Sequence, residues 1–131
     1  MNLAAVQALL RDRLPGLIAI YVFGSQATGQ ATETSDIDIA VLAGGVVDPQ
    51  LLWELAGALA DILHLPVDLL DLRSASSVMQ YQVITTGRCL WSSGGEAQIY
   101  EAFILSEKTG LDAARAGLLS DIAHTGRIHD R

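Results

Sequence analysis

Cysteine is almost absent from this chain, and long apolar runs are missing altogether. The single cysteine, Cys89, has no second cysteine for an internal disulfide and no companions for a zinc cluster. We therefore expect a cytoplasmic protein in which Cys89 is a small buried apolar side chain. No apolar run approaches the roughly 20 residues of a membrane span, and the first residues lack the basic start of a secretory signal. We expect no contact with a membrane.

Basic residues are also scarce. The chain has 8 Lys and Arg against 15 Asp and Glu, which gives a net charge of −7. This balance argues against direct nucleic-acid binding through a broad basic surface. The phosphate-binding sequence GK[ST] is absent too, which excludes a Walker-type loop. Half of the residues are apolar, so the 131 residues suffice for a hydrophobic core, and we expect residues 1–131 to form a single domain.

The most informative stretch runs from Tyr21 to Leu42. An apolar run ends at Gly24-Ser25, and a second one opens at Asp36-Ile37-Asp38. Because side chains alternate along a strand, Asp36 and Asp38 would point the same way, about 7 Å apart, and could converge on a divalent cation. Gly24 would let the backbone approach a ligand, and Ser25 offers a hydroxyl and an N–H group to a phosphate.

The remaining pattern alternates helices and strands. A helix beginning at Asp48-Pro49 separates the second apolar strand from a third, Val67 to Leu72, and such a unit favours a right-handed crossover with parallel strands. Parallel pairing would bring Asp68 near the first two acids. Asp71 is the competing third acid, but the odd separation between Asp68 and Asp71 places their side chains on opposite faces of the sheet. We favour Asp68 and interpret Asp71 as a strand-end turn residue. Further elements are predicted over 3–13, 17–23, 78–86, 89–91, 97–105 and 111–122.

The spacing of Gly24-Ser25, ten residues and Asp36-x-Asp38 resembles the GS-x10-DxD signature of the DNA polymerase β-like nucleotidyltransferases. The short chain is similar to the minimal nucleotidyltransferases of that superfamily, whose best-understood members are antitoxins paired with HEPN-domain RNase toxins. The resemblance implies an α/β (α+β) fold, a small mixed sheet flanked by helices, with its core at about residues 15–92 and a helical C-terminal extension over 96–124. Thr28 departs from the family pattern, which often has an arginine there.

The resemblance also implies an activity. Such a protein transfers AMP from ATP to a tyrosine hydroxyl of its HEPN toxin, which neutralises the toxin. Asp36, Asp38 and Asp68 would be the catalytic acids and hold Mg²⁺, two ions in this family, while Gly24 and Ser25 would bind the nucleotide. Two alternatives stay open: a nucleotidyltransferase acting on small molecules of the aminoglycoside type, and a non-catalytic antitoxin that acts by binding alone.

Overall fold

A computed structural model describes residues 2–24 and 36–107, which form helices and strands in alternation. The sequence pattern also predicts a short helix beginning within 24–29 and a turn over 32–35. Residues 25–35 and the helix predicted over 111–122 lie outside the described residues. The described elements are α1 (Leu3–Arg13), β1 (Leu17–Phe23), β2 (Ile37–Ala43), α2 (Pro49–Leu63), β3 (Val67–Asp71), a 3₁₀ turn (Leu72–Ser74), α3 (Ser77–Thr86), β4 (Arg88–Ser92) and α4, helical over residues 95–107.

The strands form one mixed sheet in the order β3-β2-β1-β4. β1 pairs antiparallel with β2 and with β4, whereas β2 and β3 are parallel. The parallel pair is joined through α2, as the strand–helix–strand pattern predicts. The small mixed sheet with flanking helices is therefore confirmed. As a result, β2 and β3 begin at the same end of the sheet, and β1 ends there.

Apolar side chains cover both faces of the sheet, which explains why β1 is buried along its whole length. On one face, α1 and α2 pack through Val6, Leu10, Leu55 and Leu59 against Ile37, Ile39 and Val41 of β2. On the other face, Val83 of α3 and Ala97 of α4 pack against Ala40 and Leu42. Alternation along β2 thus assigns its odd-numbered residues to one core and its even-numbered residues, including Asp38, to the side of α3 and α4.

The ends of α2 determine where β3 begins. The Asp48 carboxylate accepts a hydrogen bond from the Leu51 N–H group at 3.1 Å, and Pro49 occupies the first turn. At the other end, His64 adopts a left-handed conformation with a φ of 57°. This stops the helix, so the chain can turn through Leu65 and Pro66 into β3.

Cys89 differs from its predicted burial. It is exposed, because β4 is an outer strand with a neighbour on one side only. Tyr21 of β1 is the register partner of Cys89 and points to the same face of the sheet. Helix α4 contacts that face through Glu101, whose carboxylate accepts a hydrogen bond from the Tyr21 hydroxyl at 2.6 Å. Within the described residues, no helix combines the length and hydropathy that crossing a bilayer requires.

Candidate active site

Two of the predicted site acids are direct neighbours in the sheet. In the parallel register of β2 and β3, Asp38 is paired with Asp68. Paired residues of adjacent strands point to the same face and lie about 4.8 Å apart across the sheet. Asp38 is partly buried and Asp68 is exposed. The structure thus brings the two carboxylates together at the sheet end where both strands start.

Asp36 completes a set of three acids. It lies one position before β2 and is exposed. Burial raises the pKa of the Asp38 carboxyl group, and the negative charges of Asp68 and then of Asp36 raise that pKa further. The three side chains therefore interact electrostatically. Like charges held this close disfavour ionisation of Asp38 unless a positive charge compensates them.

Gly24 lies against the same carboxylate from the opposite side. It follows β1, whose last residue, Phe23, is paired with Asp38. Gly24 has a φ of 72°, a conformation that side chains with a Cβ disfavour. A Cβ at this position would also collide with the Asp38 carboxylate. Glycine is therefore strongly favoured here, and position 24 lies beside the Asp38 carboxylate. Ser25, predicted to bind the nucleotide with Gly24, lies outside the described residues.

Asp71 has a different environment from Asp68. It is 2% exposed, the only buried charged or polar side chain in the described residues. Its carboxylate accepts hydrogen bonds from the N–H groups of Val47 and Arg73, at 2.9 and 3.1 Å, and from the Ser74 hydroxyl at 3.0 Å. These bonds fix the turn after β3 at the far end of the sheet from Asp36 and Asp38. The structure therefore gives Asp71 the turn role and leaves Asp68 beside the other acids.

The acids have the chemistry of a magnesium site. Carboxylate oxygens are the hard ligands that Mg²⁺ prefers, and Asp36, Asp38 and Asp68 lie at one end of the sheet. In the described part of the chain, no three His, Cys, Asp or Glu side chains already stand as a metal-binding cluster. Because Asp36 and Asp68 are exposed, their side chains have room to change rotamer toward Asp38. The donor set and the mutual repulsion at Asp38 fit a divalent cation.

One feature near these acids was not predicted from the sequence. A groove runs between α2 and β3, and Trp53, Glu54, Asp61 and Asp68 are among its lining residues. Trp53 is 78% exposed although it lies on a helix with a buried apolar stripe. The signal was present, because Trp53 falls between Leu52 and Leu55 and outside the spacing of that stripe.

Comparisons with known proteins agree with this geometry. The family model described as polymerase beta, nucleotidyltransferase matches residues 6–95. This range contains Gly24 and the acids of the candidate site, Asp36, Asp38 and Asp68.

Individual relatives match over almost the whole chain. The protein adenylyltransferase MntA of Shewanella oneidensis is 42% identical over 122 residues, covering 93% of this chain and 88% of the relative. A crystal structure of a toxin–antitoxin with AMP-PNP has a TM-score of 0.82 and 41% identity, covering 94% and 99% of the two chains. A structure of the tri-AMPylated S. oneidensis HEPN toxin in complex with MNT antitoxin has a TM-score of 0.74 and 40% identity, covering 92% and 94%.

Proposed function

The chain belongs to the polymerase beta nucleotidyltransferase family, and from this membership we propose that it is a protein adenylyltransferase acting on a HEPN toxin. In this reaction, the oxygen of an acceptor hydroxyl attacks the α-phosphorus of ATP. A bond forms between that oxygen and phosphorus, the bond to the β-phosphate breaks, and pyrophosphate leaves. The proton of the hydroxyl passes to solvent water. The observation that carries the proposal is the pairing of Asp38 with Asp68 across β2 and β3.

The relatives support both the donor and the acceptor. One similar structure contains AMP-PNP, an ATP analogue, and another contains a HEPN toxin that carries three AMP groups. We therefore assign ATP as the donor and a tyrosine hydroxyl of a HEPN-domain RNase toxin as the acceptor. Added AMP would neutralise the toxin by its bulk and negative charge. Because ATP is the donor, we place the reaction in the cytoplasm.

Each site residue has a distinct task in this proposal. Asp36, Asp38 and Asp68 would hold Mg²⁺, which neutralises triphosphate charge and makes an attacking hydroxyl more acidic. Asp68 lies on the outer strand, on the side from which an acceptor can approach. Gly24 keeps the space beside Asp38 open and, with Ser25, would bind the triphosphate.

The proposal predicts the effect of removing two carboxylates. In the Asp36→Asn/Asp38→Asn double variant, AMP transfer should fall by at least about a thousandfold, since a metal site supplies several kcal/mol of charge stabilisation. Purified protein would be incubated with ATP, MgCl₂ and a purified HEPN-domain toxin. Mass spectrometry of that protein would then count adenylyl groups. EDTA should stop the reaction, and excess MgCl₂ should restore it.

The matched control is Asp48→Asn. It removes a carboxylate elsewhere, and asparagine caps a helix about as well as aspartate. This variant should transfer AMP like the wild type. A double variant that is folded by circular dichroism and still labels the partner at the wild-type rate would refute the assigned site. If that variant is inactive but still protects cells from the toxin, neutralisation occurs by contact alone.

A further inference from the structure

The groove between α2 and β3, here called the edge groove, is a concave surface that includes Asp68 among its lining residues. Its volume is about 910 Å³, comparable to sites that enclose an entire drug-sized ligand. One wall is α2, which contributes Trp53, Glu54, Gly57 and Asp61. The other wall is β3. The space therefore exceeds what a single side chain would fill.

The β3 wall is an outer strand of the sheet. Within the described residues, β3 pairs with β2 alone. The second edge of an outer strand presents N–H and C=O groups that can pair with an extended segment from another protein. Side chains of such a segment would alternate between the groove and the opposite face.

The charges of the edge groove have a single sign. Glu54 and Asp61 line it from α2, and Asp68 lies in its β3 wall with the side chain directed by alternation to the face of Asp38. The described lining contains no lysine, arginine or histidine. Trp53 presents a large aromatic surface to solvent beside these acids. An exposed indole next to carboxylates suits an arginine or lysine, which can stack on the ring and pair with an acid, and it also suits apolar side chains.

The edge groove is continuous with the candidate active site through Asp68. This residue lines the groove and is also the register partner of Asp38. A segment bound along β3 therefore passes directly beside the acids. We propose that the edge groove binds an extended, basic and apolar segment of the partner protein, the segment that carries the acceptor hydroxyl. The proposal rests on the function proposed above and assigns it a substrate-docking surface.

The test separates docking from chemistry. Trp53→Ala removes the aromatic surface, and Asp61→Lys reverses one charge of the groove. Each variant should raise the KM for the HEPN partner by about tenfold or more, as loss of an interface anchor does. The dissociation constant of ATP, measured by calorimetry without the partner, should not change. Val78→Ala is the control, because Val78 is also an exposed apolar helix residue, 67% exposed, and lies outside the groove.

Two outcomes would overturn the docking proposal. One is a KM within about twofold of the wild type for both groove variants, since a real anchor contributes more than that. The other is an equal loss in Val78→Ala. If the wild type transfers no AMP at all, the proposed function fails, but calorimetry of partner binding to the same variants still decides whether the groove docks the partner.

Discussion

At the scale of single residues, the surroundings of Asp38 oppose the ionised form that its proposed role requires. Its carboxyl group is partly buried and faces the negative charges of Asp68 and Asp36. Each of these conditions opposes ionisation, yet an ionised carboxylate is what a magnesium site requires. Such an unfavourable position is expected where the proposed function, rather than stability, determines the residue.

Asp38→Asn should therefore stabilise the protein when no metal is bound. The pKa of Asp38 is raised in the folded state, so its ionisation opposes folding once the pH exceeds the ordinary carboxyl range. Asparagine removes that charge with little change in shape. In EDTA at pH 7, thermal unfolding of the variant should occur at a higher temperature than that of the wild type. The gain should shrink at pH values below the ordinary carboxyl pKa, where the wild-type group is protonated in both states.

An unchanged or lower unfolding temperature in EDTA would show that the repulsion at Asp38 is relieved in another way. Added MgCl₂ provides the internal comparison. It should raise the unfolding temperature of the wild type, because binding to the folded state alone stabilises it, and should have less effect on the variant.

Individual residues were predicted from the sequence when alternation decided their position. The odd separation of Asp68 and Asp71 indicates opposite faces, and the structure puts Asp71 in a buried turn and Asp68 beside Asp38. Cys89 was wrongly predicted, because burial depends on how many neighbours a strand has, and no local pattern reports that. Ser25 lies outside the described residues, and its role, like those of the acids, stays a prediction.

At the scale of secondary structure, β3 contributes two acids with opposite tasks. Asp68, near its start, is exposed at the candidate site. Asp71, at its end, is buried and binds Val47, Arg73 and Ser74 through three hydrogen bonds. One five-residue strand thus carries a structural carboxylate and, in the proposed mechanism, a catalytic one.

Replacing each acid by alanine should separate these tasks. Asp71→Ala leaves buried donors unpaired and should lower the free energy of unfolding by about 3 kcal/mol, with AMP transfer largely retained at low temperature. Asp68→Ala should change stability by less than about 0.5 kcal/mol, as surface substitutions usually do, and abolish transfer. Urea unfolding and the mass-spectrometric transfer assay measure the two effects. Equal effects of the two variants on both measurements would contradict this division.

Local pattern also explains which elements could be predicted. The apolar stripe of α2, its Asp48 cap and its end at His64 all follow from residue type and spacing. The partner of β4 could not be predicted, because its antiparallel pairing with β1 joins segments that are distant in the chain. That register also shifts between Ile20 and Tyr21, an irregularity that no periodicity announces.

At the scale of the whole molecule, negative charge is concentrated near β3, the outer strand of the sheet. The net charge is −7, and the candidate site and the edge groove add clustered carboxylates near the outer strand β3. A protein with this field attracts positively charged surfaces and orients them before contact. The molecule is therefore suited to rapid capture of a basic partner.

Association with the HEPN partner should accordingly depend on salt. The association rate constant should fall by about tenfold or more between 20 mM and 300 mM NaCl, because added ions screen attraction beyond a Debye length. The dissociation rate should change much less. Stopped-flow mixing or surface plasmon resonance at several salt concentrations measures both. An association rate independent of salt would mean that shape alone guides the encounter.

The register between β2 and β3 limits how far the connection between α2 and β3 can vary in length. The short connection from His64 to Pro66 leads from α2 into β3, and its length helps determine which residue of β3 lies beside Asp38. Slippage by a single position would turn the Asp68 side chain to the reverse of the sheet, and slippage by two would return it to the correct side but about 7 Å away. Helix α2 can tolerate many exchanges of residue type, whereas insertion or deletion in this short connection is the kind of change that the site does not survive.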